Sequence, residues 1–188
     1  MKKVIGFVGS PRNEGNTAVL VRQVLKGAAE AGAETRIYFL NDLAIRGCQA
    51  CDKCKATGVC AQQDDMTPLY DAIQAADAVV LSTPIYMWEM TAQMKAMIDR
   101  LRPLFKPDFS SRLAPGKQAA WVITQGRPEP DAYADYIDML RGMIGMFGFR
   151  EVREVLVAPG LRAAGEVAGN AALMAQAAAM GKRLAVLF

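Results

Sequence analysis

The chain has 188 residues and a formal net charge of +3; 52% of its residues are hydrophobic and 22% are charged. This balance is ordinary for a folded α/β protein and excludes a disordered chain. Neither half carries a run of like charges, so we expect no nucleic-acid partner and no anionic membrane surface. The length is typical of one ordinary domain, and we expect residues 1–188 to form a single domain.

Histidine is absent from the sequence. Its absence removes the commonest general base and the serine and cysteine triads that need it. We identify no catalytic acid or base, and if the chain is an enzyme we expect a cofactor to supply the reactive centre. The apolar run near the N-terminus is too short for a signal peptide, and no apolar stretch of roughly 20 residues follows. We therefore expect a cytoplasmic location and no membrane segment.

Apolar patterns alternate between strands and helices along the chain. The continuous apolar run at 4–8 is typical of a strand buried on both faces of a parallel sheet. The apolar residues of 91–101 instead follow helical spacing. The predicted strands are 4–8, 35–40, 78–82, 119–124 and 152–157, and the predicted helices are 16–31, 68–75, 91–101, 131–147 and 170–187.

Five strands separated by helices predict an α/β fold with a doubly wound parallel sheet, because parallel neighbours need crossover connections. The flavodoxin-like strand order 2-1-3-4-5 fits the number of strands, and we expect it here. That order places a ligand crevice outside the carboxyl ends of strands one and three. The loops that follow these strands are therefore the first places to look for a site.

The segment 9–17, Gly-Ser-Pro-Arg-Asn-Glu-Gly-Asn-Thr, joins the first strand to the first helix. A helix N-terminus offers unpaired N–H groups and a partial positive charge to an anion. Further donors come from Ser10, Arg12, Asn16 and Thr17. The segment predicts a phosphate-binding loop, although a simple capped helix start uses the same residue types.

Two rival nucleotide motifs do not fit this segment. A P-loop needs Lys and then Ser or Thr after its second glycine, whereas Gly15 is followed by Asn16 and Thr17. The dinucleotide fingerprint G-x-G-x-x-G is also missing. Both nucleoside triphosphate binding and Rossmann-type NAD binding are therefore disfavoured.

Segment 9–17 resembles the phosphate loop of the NADPH-dependent FMN reductase and iron–sulfur flavoprotein families. Segments 82–88 and 95–100 are similar to the part of those families that lies against the flavin ring and leads into the next helix. The resemblance implies FMN, with its phosphate in the loop at 10–17. It also implies a ring site formed by Pro84, Ile85, Tyr86, Met87 and Trp88, and a third loop formed by Thr124, Gln125 and Gly126.

Simpler interpretations of the ring loops stay open. Ile85 and Trp88 are also the kind of residue found in a core or an interface. An ordinary strand-to-helix turn before Pro128 would explain 124–126 equally well.

All four cysteines lie within thirteen residues, in the pattern C-x2-C-x2-C-x5-C, on a loop at about 43–66. They are Cys48, Cys51, Cys54 and Cys60. Three thiolates at this spacing can bind a [4Fe–4S] cluster when a fourth completes the set, and the pattern is similar to that of iron–sulfur flavoproteins. Zinc, and unliganded thiols or disulfides, are the alternatives.

The leading hypothesis is an electron-transfer oxidoreductase in which FMN exchanges electrons with NAD(P)H or a redox partner and the cluster passes them singly to an acceptor. One alternative is a cluster-free NAD(P)H:FMN or quinone reductase. Another is a non-enzymatic protein that senses metal or redox state through the cysteine loop. The resembling families assemble as homodimers or homotetramers, and the methionines at 87, 90, 94 and 97 are candidates for core packing or for such an interface.

Overall fold

The structure is a computed structural model that describes residues 1–186, except for the side chains of residues 150–153. Its strands are β1 (Lys3–Val8), β2 (Glu34–Phe39), β3 (Ala78–Pro84), β4 (Gln118–Thr124) and β5 (Arg150–Ala158). Its helices are α1 (Asn16–Glu30), α2 (Lys53–Thr57), α3 (Thr67–Ala75), α4 (Ala92–Asp99), α5 (Ala134–Met146) and α6 (Ala171–Val186). The predicted end of the last helix at residue 187 lies outside the described residues.

The five strands form one parallel sheet in the order β2-β1-β3-β4-β5. This confirms the predicted doubly wound fold and the flavodoxin-like strand order. Because all strands run the same way, their carboxyl ends meet at one edge of the sheet. At this edge the connections that follow β1 and β3 lead to helices on opposite faces of the sheet.

Alternate residues of the central strands pack into two separate cores. Val80 and Val122 face α1 and α6 on one side of the sheet. Leu81 and Ile123 face α3, α4 and α5 on the other side. The uninterrupted apolar runs predicted this arrangement, because a strand covered on both faces has no solvated side.

Helices α1 and α6 pack unusually close together. An added methyl group at Gly181 would overlap the carbonyl oxygen of Val24, and one at Gly27 would overlap the carbonyl oxygen of Ala178. Glycine at both positions lets the two backbones touch, which fixes α1 and therefore its N-terminus relative to the sheet.

The structure differs from the predicted elements in three places. The five-residue helix α2 lies inside the cysteine loop and had no periodic signal in the sequence. Helix α4 begins after Thr91, whose side chain accepts a hydrogen bond from the Met94 N–H, so Thr91 is its cap. Helix α5 begins at Ala134 instead of 131, after a turn in which the Ala134 N–H donates to the Asp131 carbonyl oxygen.

The methionine stripe is mostly core. Met90, Met94 and Met97 are at most 8% exposed, whereas Met87 is 81% exposed. Only Met87 of this stripe is therefore available to a partner. Within residues 1–186, no helix is both long enough and apolar enough to cross a bilayer.

Candidate functional site

A cavity of about 440 Å³ opens at the carboxyl edge of the sheet. This volume lies within the range of small-molecule and cofactor sites. Its walls come from the loops after β1, β3, β4 and β5. The lining residues are Ser10, Arg12, Gly15, Asn16, Thr17, Pro84, Ile85, Tyr86, Thr124, Gln125, Gly126, Leu161, Arg162 and Ala164.

Helix α1 begins at this cavity without a side-chain cap. Its N-cap residue is Gly15, and the first N–H groups of a helix have no acceptor within the helix. The loop before it is closed by two hydrogen bonds: the Gly15 N–H donates to the Arg12 carbonyl oxygen at 3.0 Å, and the Arg12 N–H donates to Ser10 Oγ at 3.1 Å. The first N–H groups of α1 are thus left without an acceptor at the edge of the cavity.

The charge around the cavity is positive. Arg12 and Arg162 both line it, and the helix N-terminus adds a partial positive charge. None of the lining residues that the structure describes carries a carboxylate. An anion is therefore the ligand that this end of the cavity fits best.

Thr17 and Asn16 connect the predicted phosphate loop to other loops. Thr17 Oγ1 lies 2.8 Å from Thr124 Oγ1, and both side chains are buried. The Asn16 side chain donates to the Ala163 carbonyl oxygen at 2.8 Å and accepts from the Val167 N–H at 3.0 Å. Asn16 therefore ties α1 to the loop after β5, a role that the sequence analysis did not predict.

The loop after β3 divides into a wall and a protruding tip. Pro84, Ile85 and Tyr86 line the cavity. Tyr86 and Glu89 exchange two backbone hydrogen bonds, of 2.9 and 3.1 Å. Met87 and Trp88 form the tip between them; they are 81% and 68% exposed and lie outside the cavity lining.

Positive φ angles at both tip residues explain why they point away. Met87 has φ +46° and Trp88 has φ +70°, the signature of a tight two-residue hairpin turn that is normally made by Asn or Gly. Large apolar side chains in such a turn are strained and exposed, so this tip is a surface feature of the chain in isolation.

Gln125 presents an unsatisfied acceptor beside the cavity. Its side-chain amide donates to the carbonyl oxygens of Arg127 and Glu129, at 3.3 and 2.6 Å. Its Oε1 atom is buried without a protein partner. A buried acceptor of this kind is costly unless a ligand donor satisfies it.

The cysteines surround a second, smaller cavity of about 30 Å³. All four line it, together with Arg100 and Arg102. Cys48 and Cys51 are exposed, Cys54 is buried and Cys60 is partly buried. Burial raises the pKa of the Cys54 thiol, although the nearby Arg102 lowers it.

The thiols are not arranged around a single metal ion. No group of three or more Cys, Asp, Glu or His side chains within the described part of the chain has the geometry to hold one. A tetrahedral zinc site needs sulfurs within about 2.3 Å of the metal, so this arrangement gives zinc no support. In its chemistry, the donor set of four thiols around one pocket instead matches a group that is held by several thiolates.

A buried ion pair anchors the cysteine loop to the end of α4. Arg100 is 1% exposed and donates to both carboxylate oxygens of Asp64, at 2.7 and 3.0 Å. It also donates to the Arg46 carbonyl oxygen at 2.7 Å, so both ends of the loop are held. Burial alone would raise the pKa of Asp64, but the hydrogen bonds from Arg100 and two backbone N–H groups lower it overall.

Three cavity residues were missed by the sequence analysis: Leu161, Arg162 and Ala164. They follow β5, whose carboxyl end lies at the same edge as those of β1 and β3. The Pro159-Gly160 turn and the nearby Arg162 were the available signal, but the flavin site was predicted from the loops after strands one, three and four.

Comparisons with known proteins support the resemblance found in the sequence. The model of the NADPH-dependent FMN reductase family matches residues 2–160. An iron–sulfur flavoprotein of Methanocaldococcus jannaschii is 43% identical over 102 residues, which are 54% of this chain and 53% of that protein. An iron–sulfur flavoprotein of Archaeoglobus fulgidus is 33% identical over 137 residues, 72% of this chain and 60% of that protein. The chain thus matches little more than half the length of these relatives.

A solved structure shows the same fold. An FMN-dependent NADH-azoreductase of Bacillus anthracis, in complex with FMN, superposes with a TM-score of 0.73 at 16% identity, covering 98% of this chain and all of that one. At this identity the likeness shows the fold alone. The family is established by the match over residues 2–160. This chain belongs to the NADPH-dependent FMN reductase family of flavin-dependent oxidoreductases.

Proposed function

We propose that the chain is an FMN-dependent oxidoreductase that transfers electrons between NAD(P)H, or a redox partner, and an acceptor. The observation that carries this proposal is the large cavity at the carboxyl edge of the sheet. An uncapped helix N-terminus and two arginines line it, and none of the described lining residues carries a carboxylate. The family match supports FMN as the ligand.

The phosphate of FMN fits the end of the cavity formed by residues 10–17. The first N–H groups of α1 and the side chains of Ser10 and Arg12 offer donors to its oxygens. Thr17 shares its hydroxyl hydrogen bonds between the ligand and Thr124. Arg162 adds a second positive charge from the opposite wall.

The flavin ring fits against the wall made by Pro84, Ile85 and Tyr86. Gln125 offers its unpartnered Oε1 to a ring N–H group, and the backbone of Gly126 lies beside it without a side chain. When bound, FMN supplies both hydride acceptance and single-electron transfer. The residues of the chain only have to bind, orient and partly desolvate the ring, which agrees with a lining that lacks a carboxylate or histidine base.

We further propose that Cys48, Cys51, Cys54 and Cys60 hold a [4Fe–4S] cluster. Their common cavity and the two nearby guanidinium groups support this assignment, as do the names of the curated relatives. When bound, such a cluster supplies single-electron transfer. Cys48 and Cys51 are exposed, so a protein or small-molecule acceptor would have access to a cluster held by these residues.

A second candidate function is a cluster-free NAD(P)H:FMN or quinone reductase. The observation that favours it is the small volume of the cysteine cavity, about 30 Å³. Both candidates use the same flavin cavity, so they differ only in the iron content and in whether the cysteines matter for activity.

We also propose a homodimer or homotetramer joined at the tip formed by Met87 and Trp88. These side chains and Tyr86 expose apolar surface next to the cavity mouth. Exposed apolar patches beside a site are typical of an interface.

Purification without oxygen, followed by an absorption spectrum and iron and sulfide assays, tests the proposed function. Flavin bands with about four irons per chain support the two-cofactor protein, and flavin bands without iron support the simple reductase. Protein that binds no flavin after incubation with FMN would contradict both. Anaerobic mixing with NADH and with NADPH, followed at the flavin bands, then identifies the donor.

A further inference from the structure

Unsatisfied polar atoms concentrate at the two cavities. Five buried side-chain polar atoms lack a partner in the described part of the chain, and four of them belong to cavity-lining residues. One is Oε1 of Gln125 at the flavin cavity. The other three belong to Gln62, Arg100 and Arg102, which all line the cysteine pocket.

Two of these orphaned atoms are guanidinium nitrogens, Nε of Arg100 and Nη2 of Arg102. Arginine stays charged at any accessible pH, so a buried guanidinium N–H without an acceptor cannot be relieved by losing a proton. Because both residues line the pocket, an acceptor bound there would satisfy it. Thiolate sulfurs, and the sulfides of a cluster, are acceptors with negative charge.

The charges of the two arginines are balanced differently. Arg100 forms a two-point ion pair with Asp64, so it brings an N–H donor but little net charge to the pocket. Arg102 pairs with no carboxylate of the described residues; it lies over the rings of Phe105 and Phe109 and donates only weakly to the Phe105 carbonyl oxygen, at 3.4 Å. Asp52 and Asp99 also line the pocket, but they pair with Lys55 and Lys95, which do not line it. Arg102 is therefore the cation of the pocket lining that has no carboxylate partner among the described residues.

We infer that Arg102 is a positioning residue that stabilises a negatively charged thiolate-bound group in the cysteine pocket. Together with the N–H of Arg100, it raises the reduction potential of the cluster proposed there. The inference rests on the proposed function. Adding one electron to such a group forms and breaks no bond and adds one negative charge. A nearby fixed positive charge and N–H donors to sulfur favour the reduced form.

Arg112 provides a matched control for Arg102. Both side chains donate to the same Phe105 carbonyl oxygen, Arg112 at 3.1 Å, and both are arginines of the same surface. Arg112 also donates to the Lys55 carbonyl oxygen but does not line the cysteine pocket. Its replacement therefore removes an equal charge and a hydrogen bond to α2, but no side chain of the pocket lining.

The test compares the wild type with R102Q, R102K and R112Q, each loaded anaerobically with FMN, iron and sulfide and titrated in a spectroelectrochemical cell. We expect R102Q to lower the cluster potential, R102K to restore most of it, and R112Q to shift it much less. The flavin potential, set in the other cavity, should stay constant in all four proteins.

Equal cluster potentials in the wild type and R102Q would overturn the inference and leave the proposed function intact. If R102Q folds but retains no iron, retention by R102K supports the charge role, and loss of iron in both overturns it. If the wild type itself takes up no iron, the cluster proposal fails and this inference fails with it.

Discussion

The hydroxyl groups of Thr17 and Thr124 lie 2.8 Å apart although 107 positions separate them in the chain. Thr17 stands in the first turn of α1, and Thr124 is the last residue of β4. This buried contact joins the loop at 10–17 to the loop that carries Gln125. Two walls of the large cavity at the carboxyl edge are thereby fixed to each other.

Replacing Thr17 with Val should lower both the affinity for FMN and the stability of the fold. The change leaves the buried Thr124 hydroxyl without a partner, and an unsatisfied group of this kind costs about 1–3 kcal/mol. We expect a lower free energy of unfolding in urea and a weaker FMN affinity by fluorescence titration. The exposed Thr67 at the start of α3 serves as the control, and T67V should change neither quantity. Wild-type FMN affinity in T17V would remove Thr17 from the phosphate site.

The Asp64–Arg100 pair predicts a pH-dependent contribution to stability. The pKa of Asp64 is lowered from 3.8 in the folded chain, so the unfolded state binds its proton more readily. The contribution is complete above pH 3.8 and is lost as the pH falls through the lowered pKa. D64N should destabilise the chain at neutral pH by about 3–5 kcal/mol, because it leaves the buried Arg100 without its counterion.

The difference in the free energy of unfolding between D64N and the wild type should become smaller as the pH falls below 3.8. Urea unfolding at a series of pH values measures it. The control is D138N, which breaks the exposed Asp138–Arg141 pair and should cost less than about 1 kcal/mol at every pH. If the free energy of unfolding of D64N stays below that of the wild type by the same amount down to the lowest pH measured, the charge of the Asp64 carboxylate does not anchor the loop.

The close contact of α1 and α6 predicts a large effect from one methyl group. In G181A the new methyl overlaps the Val24 carbonyl oxygen, and overpacking of this kind costs about 1–3 kcal/mol. The control is G142A in α5, where nothing lies within 4 Å of an added methyl; it should stabilise the helix by about 0.5–1 kcal/mol. Thermal unfolding of both variants measures the contrast, and equal effects would contradict the packing.

The exposed hairpin tip predicts an effect on assembly. Trp88 has φ +70° and is 68% exposed, so W88G should relieve backbone strain and remove apolar surface at once. We expect no loss of stability in the monomer and a shift towards smaller species in size-exclusion chromatography. M139A, which changes an exposed methionine on α5, is the control. An unchanged elution volume for W88G would exclude the tip from the interface.

The sequence predicted those features that depend on local pattern. Strand runs, helix periods and the residues around Gly15 follow from neighbours in the chain. The strand order was expected because the flavodoxin-like order fits five strands, and the structure confirms it. The third-loop residue Gln125 lines the cavity as expected, but its orphaned acceptor depends on two carbonyl groups that only the folded turn positions.

Features that depend on distant contacts were missed. Arg162 reaches the cavity because β5 ends beside β4, and Asn16 is held by the loop after β5. One local feature was also missed. The resemblance implied that Met87 and Trp88 lie against the ring, but they form a tight two-residue turn, are exposed and lie outside the cavity lining. Nothing in the local sequence of Arg100 indicated that it would pair with Asp64 beneath the cysteine loop.

Titration of flavin-free protein with FMN and with riboflavin, followed by flavin fluorescence, measures how much the phosphate contributes to binding. The two ligands differ only in this phosphate, for which we propose a site at the N-terminus of α1 with Arg12 and Ser10. Charge-assisted hydrogen bonds of about 1.5–3 kcal/mol each predict that FMN binds at least about a hundredfold more tightly than riboflavin. R12A should reduce this difference in affinity, whereas R141A, on the exposed side of α5, should not. Equal affinities for FMN and riboflavin would contradict the phosphate site and with it the proposed function.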